Sequence, residues 1–187
     1  MEALVIVDVQ NDFISGTLGT KEAEAIIEPL VNKINSFDGI ILITKDTHDK
    51  NYLSTQEGQK LPVEHCIKGT FGWEIDSRLM EAIKDKGLDY RIFEKDTFGS
   101  ISLGEHIVEL YKDGKIDSIE FVGVCTDICV ISNSLLVKAM LPELPVRVDA
   151  ACCAGVTPKA HEAALITMES CQIEIINNVE YSKHIKQ

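Results

Sequence analysis

Apolar residues fall along this chain in two rhythms. Short apolar runs, most of them rich in β-branched residues, recur at 3–9, 40–44, 90–93, 118–124, 146–148 and 173–176. Such runs suit strands buried on both faces. Between them lie stretches whose apolar residues are spaced three and four apart. In 21–35 these are Ala23, Ile26, Ile27, Leu30, Val31 and Ile34, the stripe of a helix that packs on a core. The same period predicts helices at 75–86, stopped by Gly87, and at 103–111, ended by Asp113-Gly114. It predicts two more at 127–140, stopped by Pro142, and at 158–170, which opens with proline at its first position. Strands alternating with helices predict an α/β fold: a three-layer αβα sandwich on a six-stranded, mainly parallel sheet. No repeat, low-complexity tract or linker breaks the alternation, so one domain over 1–187 is expected.

Open parallel sheets bind ligands beyond the carboxyl ends of their strands. The polar residues just after the predicted strands fall in four segments, 8–12, 45–48, 95–100 and 125–129, and each holds reactive residue types. The segment 45–72 is polar, without a clear period, and long for a loop in a compact domain. Loops of that length are usually functional or disordered.

Charge narrows the choice of partners. The net charge is -12, which argues against nucleic acid and anionic membranes. No apolar stretch reaches membrane-spanning length. The first apolar run lacks a preceding basic region and ends at Asp8, so a secretory signal is not expected and a cytoplasmic setting is. Six cysteines, at 66, 125, 129, 152, 153 and 171, form no paired CxxC spacing and are expected as free thiols. Cys152, Cys153 and Cys171 are expected to pack in the interior, and Cys66 to point away from its neighbour His65.

One thiol is placed for chemistry. In Gly123-Val124-Cys125-Thr126-Asp127-Ile128-Cys129-Val130 a buried strand runs into a helix that Thr126 or Asp127 can cap. Cys129 then falls in the first turn, where a helix N-terminus stabilises a thiolate and offers free N–H groups to an oxyanion. The segment alone also fits a buried structural cysteine. A catalytic thiol needs a base and a leaving-group acid. Asp8 ends the first strand, as a loop cap or a functional group, and Lys95 follows the third, as a surface lysine or a functional one.

A second set of residues has the donor chemistry of a metal site. Asp46-Thr47-His48 follows the second strand, His65 lies 17 residues beyond His48, and Glu57 stands between them. Such an N/O set suits Zn²⁺, Mn²⁺ or Fe²⁺. Two solvated loop histidines with incidental acids have the same pattern.

Asp8-Val9-Gln10-Asn11-Asp12-Phe13, Lys95 followed by Thr97-Phe98-Gly99-Ser100, and the segment around Cys129 resemble, in order and spacing, the isochorismatase-like cysteine hydrolases. The resemblance covers nearly the whole chain. It implies that family's fold and a catalytic triad of Asp8, Lys95 and Cys129. It also implies a non-proline cis peptide at Val124-Cys125, which directs the Cys125 N–H and the Cys129 N–H to one oxyanion. Relatives usually carry alanine where Cys125 stands.

Within the family, the D-x-H and the later His65-Cys66 pair resemble the nicotinamidases. This implies Asp46, His48, His65 and Glu57 as ligands of one divalent metal ion, zinc foremost, with manganese or iron as alternatives. It implies Phe13 and Val124 as substrate-binding residues. Leu61 and Pro62 stand where relatives hold an aromatic residue, and Trp73 is expected either as a second ring wall or as a core or rim residue. The activity implied is hydrolysis of nicotinamide to nicotinic acid and ammonia through a thioester, within NAD salvage. The small amide is the expected partner, with homo-oligomers common among relatives. Rival readings are a related hydrolase of another small amide or N-carbamoyl compound, and a non-catalytic small-molecule-binding protein on this fold.

Overall fold

The computed structural model describes residues 1–178, so the part of the single-domain expectation that covers 179–187 lies outside the described residues. The apolar runs form β1 (Glu2–Val7), β2 (Ile40–Asp46), β3 (Tyr90–Lys95), β4 (Ser118–Val124), β5 (Val146–Ala154) and β6 (Glu174–Ile176). They make one sheet of order β3-β2-β1-β4-β5-β6. Every neighbouring pair is parallel, so the sheet is wholly rather than mainly parallel.

The helices are α1 (Asn11–Ile14), α2 (Lys21–Ala25), α3 (Ile27–Ser36), α4 (Gln56–Lys60), α5 (Ser77–Lys86), α6 (Ile101–Lys112), α7 (Ile131–Met140) and α8 (Pro158–Ser170). The unbroken apolar run of β1 is explained by two cores. Leu4 and Ile6 face Leu30 and Ile34 of α3 and Leu79 and Ile83 of α5. Val5 and Val7 face the opposite core, with Ile107 of α6, Val137 of α7 and Met168 of α8. Full burial of each such side chain contributes about 1.5–3 kcal/mol.

Local chemistry sets most element ends. The Asp76 carboxylate accepts from the Arg78 N–H, so α5 starts two residues later than the apolar period suggests, and Gly87 closes it at φ 68. Ser100 caps α6 by accepting from the Leu103 N–H. The stripe over 21–35 is broken at Ile26 into α2 and α3. The segment 127–140 is also two pieces, a π-helical turn (Thr126–Val130) and then α7. Neither Thr126 nor Asp127 caps it, contrary to expectation. Asp127 instead accepts from the Val156 N–H at 2.9 Å, and Thr126 bonds the His161 ring at 2.8 Å.

The polar segment 45–72 folds back through a parallel bridge between His48 and Ile67. It also holds a short 3₁₀ turn (Tyr52–Ser54) and α4. None of the described helices is long and apolar enough to cross a membrane.

The winding reverses between β3 and β4. The chain goes outward from β1 through β2 to β3, then returns to lay β4 on the other side of β1. A crevice forms at such a reversal, beyond the carboxyl ends of the strands. Gly123 allows β1 and β4 to meet closely there: at φ 114, a Cβ on it would sit 2.2 Å from the Val7 carbonyl oxygen.

Candidate active site

Four strand ends deliver the reactive residues to that crevice. Asp8 leaves β1 at φ 50, a left-handed conformation that aspartate tolerates better than most residues. The bend ends β1 at Val7 and buries the Asp8 side chain completely. Its Oδ1 accepts from the Thr44 hydroxyl at 2.7 Å, and its Oδ2 lies 2.7 Å from Lys95 Nζ. Lys95 ends β3, paired in register with Asp46 of β2. Its ammonium also donates to Cys129 Sγ at 3.6 Å and stands 3.4 Å from Asp46 Oδ1.

Cys129 is presented by the π-helical turn. Asn133, buried on α7, donates to the Cys129 carbonyl at 2.8 Å, and its own carbonyl accepts from the Ser100 N–H at 2.8 Å. The peptide Val124-Cys125 is cis. Asp8, Lys95 and Cys129, expected from three separate motifs, therefore meet around one ammonium.

Their protonation follows from burial and mutual charge. Burial lowers the pKa of Lys95, but Asp8, Cys129 and Asp46 outweigh it, so the amine stays an ammonium well above the usual lysine range. Burial pushes Asp8 above the ordinary carboxylate range, with Lys95 offsetting part of the shift. Burial and the Asp8 charge push the Cys129 thiol well up, more than Lys95 lowers it. Lys95 alone therefore does not make a resting thiolate, contrary to what its charge suggests. The thiol proton needs an acceptor, and Asp8 adjoins it.

The second residue set lies at the same strand ends. One ligand atom from each of Asp46, His48 and His65 falls within 4.8 Å of the others, and all three residues are buried. His48 Nε2 is 3.1 Å and His65 Nε2 3.6 Å from Asp46 Oδ2. His65 Nδ1 meets the Val63 carbonyl at 2.8 Å, which orients the ring and leaves Nε2 for a ligand. His48 Nε2 is buried and faces the carboxylates of Asp46 and Glu57, so it too points into the cluster. Glu57 Oε1, on α4, faces the histidines from 3.7 and 3.8 Å and stands outside the tight three-residue cluster. These donors fit one divalent cation of the zinc, manganese or iron type.

Cys129 and the Asp46, His48, His65 and Glu57 donors line one cavity of about 870 Å³ together with Phe13, Val124, Cys125 and Leu61, while Asp8 and Lys95 are not part of that lining. Tyr52, from the polar segment, also lines it, although no periodicity marked that residue. Its ring packs 4.6 Å from His48 and 4.9 Å from His65, and its hydroxyl donates to the Leu61 carbonyl at 3.0 Å. The only sequence signal for Tyr52 is an aromatic residue four positions past His48. Trp73 is not part of the lining. Its indole N–H donates to Thr47 Oγ1, and Lys45 Nζ covers its ring at 3.0 Å, so it is a rim residue rather than a ring wall.

All six cysteines are free thiols. Cys152 and Cys153 are buried as expected and Cys66 is buried as well, but Cys171 is exposed, not core. It follows the last turn of α8, where its backbone N–H bonds back to the helix carbonyls.

Comparison with known proteins agrees with this geometry. The isochorismatase domain matches residues 2–179. The chain is 30% identical over 191 residues to the nicotinamidase/pyrazinamidase of Mycobacterium tuberculosis, covering 94% of this chain and 98% of that protein. Its fold is similar to the nicotinamidase/pyrazinamidase of Bacillus subtilis, with a TM-score of 0.79 at 23% identity over 93% of this chain and 98% of the other. The pyrazinamidase of Pyrococcus horikoshii, solved in complex with zinc, matches with a TM-score of 0.74 at 26% identity, over 94% of this chain and 98% of that one.

Proposed function

The chain belongs to the isochorismatase domain family, and on that premise we propose that it is an amidohydrolase that converts nicotinamide to nicotinic acid and ammonia. The observation that carries the reading is the Lys95 ammonium, 2.7 Å from Asp8, 3.6 Å from Cys129 and 3.4 Å from the carboxylate of the Asp46-His48-His65 cluster. A nucleophile and a ring anchor therefore share one cavity. Relatives that match most of the chain carry the same activity by name.

Asp46, His48 and His65, with Glu57 closing from α4, would hold a divalent metal ion, zinc foremost. When bound it supplies an electron-pair acceptor for the pyridine nitrogen. Phe13, Tyr52 and Val124 enclose the ring, so the carboxamide is turned toward Cys129. Asp8 takes the thiol proton as the sulfur attacks the amide carbon, and Lys95 keeps the resulting arrangement electrically balanced. The N–H groups of Cys125 and Cys129 receive the oxyanion. One such donor is worth about 2.7–4 kcal/mol in related chemistry. As the tetrahedral carbon collapses, the C–N bond breaks and Asp8 returns the proton to nitrogen, releasing ammonia and leaving a thioester. Asp8, ionised again, then accepts a proton from water as that water attacks the thioester. The second collapse frees nicotinic acid and restores the thiol.

The test is ammonia release from nicotinamide by the zinc-loaded protein, run beside pyrazinamide and a panel of N-carbamoyl acids. Cys129→Ala is the negative control. Turnover of nicotinamide that disappears in Cys129→Ala supports the reading. Wild-type turnover in Cys129→Ala, or turnover of the N-carbamoyl acids alone, overturns it.

A further inference from the structure

The ladder between β1 and β2 ends early. Its last paired residues are Val7 and Thr44, followed by one long contact from the Asp8 N–H to the Thr44 carbonyl at 3.3 Å. The positive φ of Asp8 then carries the chain away from the sheet. β2 continues for two more residues, so the backbone of Asp46 loses β1 as a partner. On its other edge Asp46 is paired with Lys95 of β3. A buried strand end with an unpaired N–H and C=O is costly.

The side chain of Gln10 takes the missing strand's place. Its Oε1 accepts from the Asp46 N–H at 2.7 Å, and its Nε2 donates to the Asp46 carbonyl at 2.8 Å. The second Nε2 hydrogen goes to the Trp73 carbonyl at 2.9 Å. Gln10 is fully buried, and its amide has both N–H groups and its oxygen engaged. An amide mimics a peptide unit, so a single side chain presents to Asp46 the donor and acceptor pair that a parallel strand would.

The residue held in this way is the one both halves of the site share. Asp46 Oδ1 faces Lys95, and Oδ2 faces His48 and His65. We propose that Gln10 is a positioning residue for the metal-ligand cluster: its amide clamps the Asp46 peptide so that the carboxylate is aimed at the bound cation. This assignment rests on the proposed role of Asp46, His48 and His65 as ligands, and it concerns a residue that touches neither substrate nor metal. Partners that orient a ligand in this way are typically worth about 10- to 100-fold in metal affinity or activity.

Gln10→Met keeps the length and removes every hydrogen bond of the clamp. In the zinc-loaded protein, competition with a chromophoric chelator is expected to show zinc bound about 10- to 100-fold more weakly. The KM for nicotinamide is expected to rise more than kcat falls. Alkylation of Cys129 by iodoacetamide is expected to stay within about threefold of wild type, because the Gln10 side-chain amide bonds only the Asp46 and Trp73 backbone, and the backbone bond from the Gln10 N–H to the Asp8 carbonyl survives the substitution. Gln10→Glu keeps the acceptor for the Asp46 N–H and is expected to fall between the two. It also serves if Gln10→Met does not fold.

Zinc affinity within twofold of wild type in a folded variant overturns the assignment. So does a failure of both variants to fold, since the amide would then serve the fold alone. The zinc and alkylation measurements need no turnover. A wild-type chain inactive on nicotinamide would therefore defeat the functional reading and leave this test standing.

Discussion

The ammonium of Lys95 stands 3.4 Å from Oδ1 of Asp46, and the other oxygen of that carboxylate faces His48 and His65. One carboxylate thus belongs to both the ion pair beside the sulfur and the cluster of donors that could hold a metal ion. The in-register pairing of β2 with β3 fixes the contact, because Asp46 and Lys95 are partners across the ladder. Strand pairing therefore fixes how the ammonium beside Cys129 sits relative to the carboxylate of the cluster.

Lys95→Met is expected to destabilise the protein as well as inactivate it. The Lys95 and Asp8 side chains are 2% and 0% exposed, so removing the ammonium leaves a buried carboxylate unpaired. Breaking a buried pair from one side costs about 3–5 kcal/mol. The double variant Asp8→Asn/Lys95→Met should recover most of that loss, since neither charge remains, while staying inactive. Urea unfolding of the wild type, the single variants and the double variant checks this. Losses that simply add would show that the two groups are not coupled.

The acid limb of the pH–rate profile should report Asp8. Burial raises its carboxyl above the ordinary aspartate value of about 3.9. Only the ionised form accepts the thiol proton. Lowering the pH through the raised value protonates Asp8, and kcat/KM falls. The limb should therefore lie above the ordinary carboxylate range, with the fold intact by circular dichroism across it. The Cys129 thiol is also pushed up, so its alkylation in the resting protein should be slow at neutral pH and accelerate above about pH 8.5, the ordinary thiol value. An acid limb at or below pH 3.9, or fast neutral alkylation, contradicts this assignment of proton positions.

Loss of the metal should act on substrate binding first. His48 lies in the buried cluster, with Nε2 3.1 Å from Asp46 Oδ2. His48→Ala, or prolonged chelation of the wild type, is expected to raise KM for nicotinamide at least about tenfold, in line with the loss of an orienting group. Glu57→Gln should do less, because Glu57 Oε1 approaches the histidines only to 3.7 and 3.8 Å and its side chain is 26% exposed. Steady-state kinetics with added and withheld zinc distinguishes these outcomes. An unchanged KM after chelation would place the metal's role outside ring binding.

Much of this was legible in the sequence because it depends on local pattern. Buried parallel strands need continuous apolar runs, and the polar residues at or just past the end of each run are carried to the crevice. Asp8, Asp46, Lys95 and the Cys125–Cys129 segment could therefore be singled out before any geometry was known. Parts that rest on tertiary pairing were not legible. Nothing in the stripe over 21–35 marks the break at Ile26. The apparent caps Thr126 and Asp127 are engaged by His161 and Val156, groups some thirty residues away. Cys171 looked like core by residue type, yet it lies just past the last turn of α8 and is exposed.

Tyr52 is the most consequential residue that pattern alone missed, and its two contributions can be separated. Its hydroxyl donates to the Leu61 carbonyl, and its ring packs on both imidazoles of the cluster. Tyr52→Phe removes only the hydroxyl, and is expected to cost about 1 kcal/mol of stability with zinc affinity unchanged. Tyr52→Leu keeps apolar bulk but gives up the flat surface that holds His48 and His65 in place. It should weaken zinc binding by about tenfold or more, as the loss of an orienting partner does, and raise the KM for nicotinamide in step. Denaturant unfolding measures the first effect, and chelator competition on the folded variants measures the second. If Tyr52→Phe and Tyr52→Leu weaken zinc to the same degree, the hydroxyl is what holds the cluster, and the ring is only a wall.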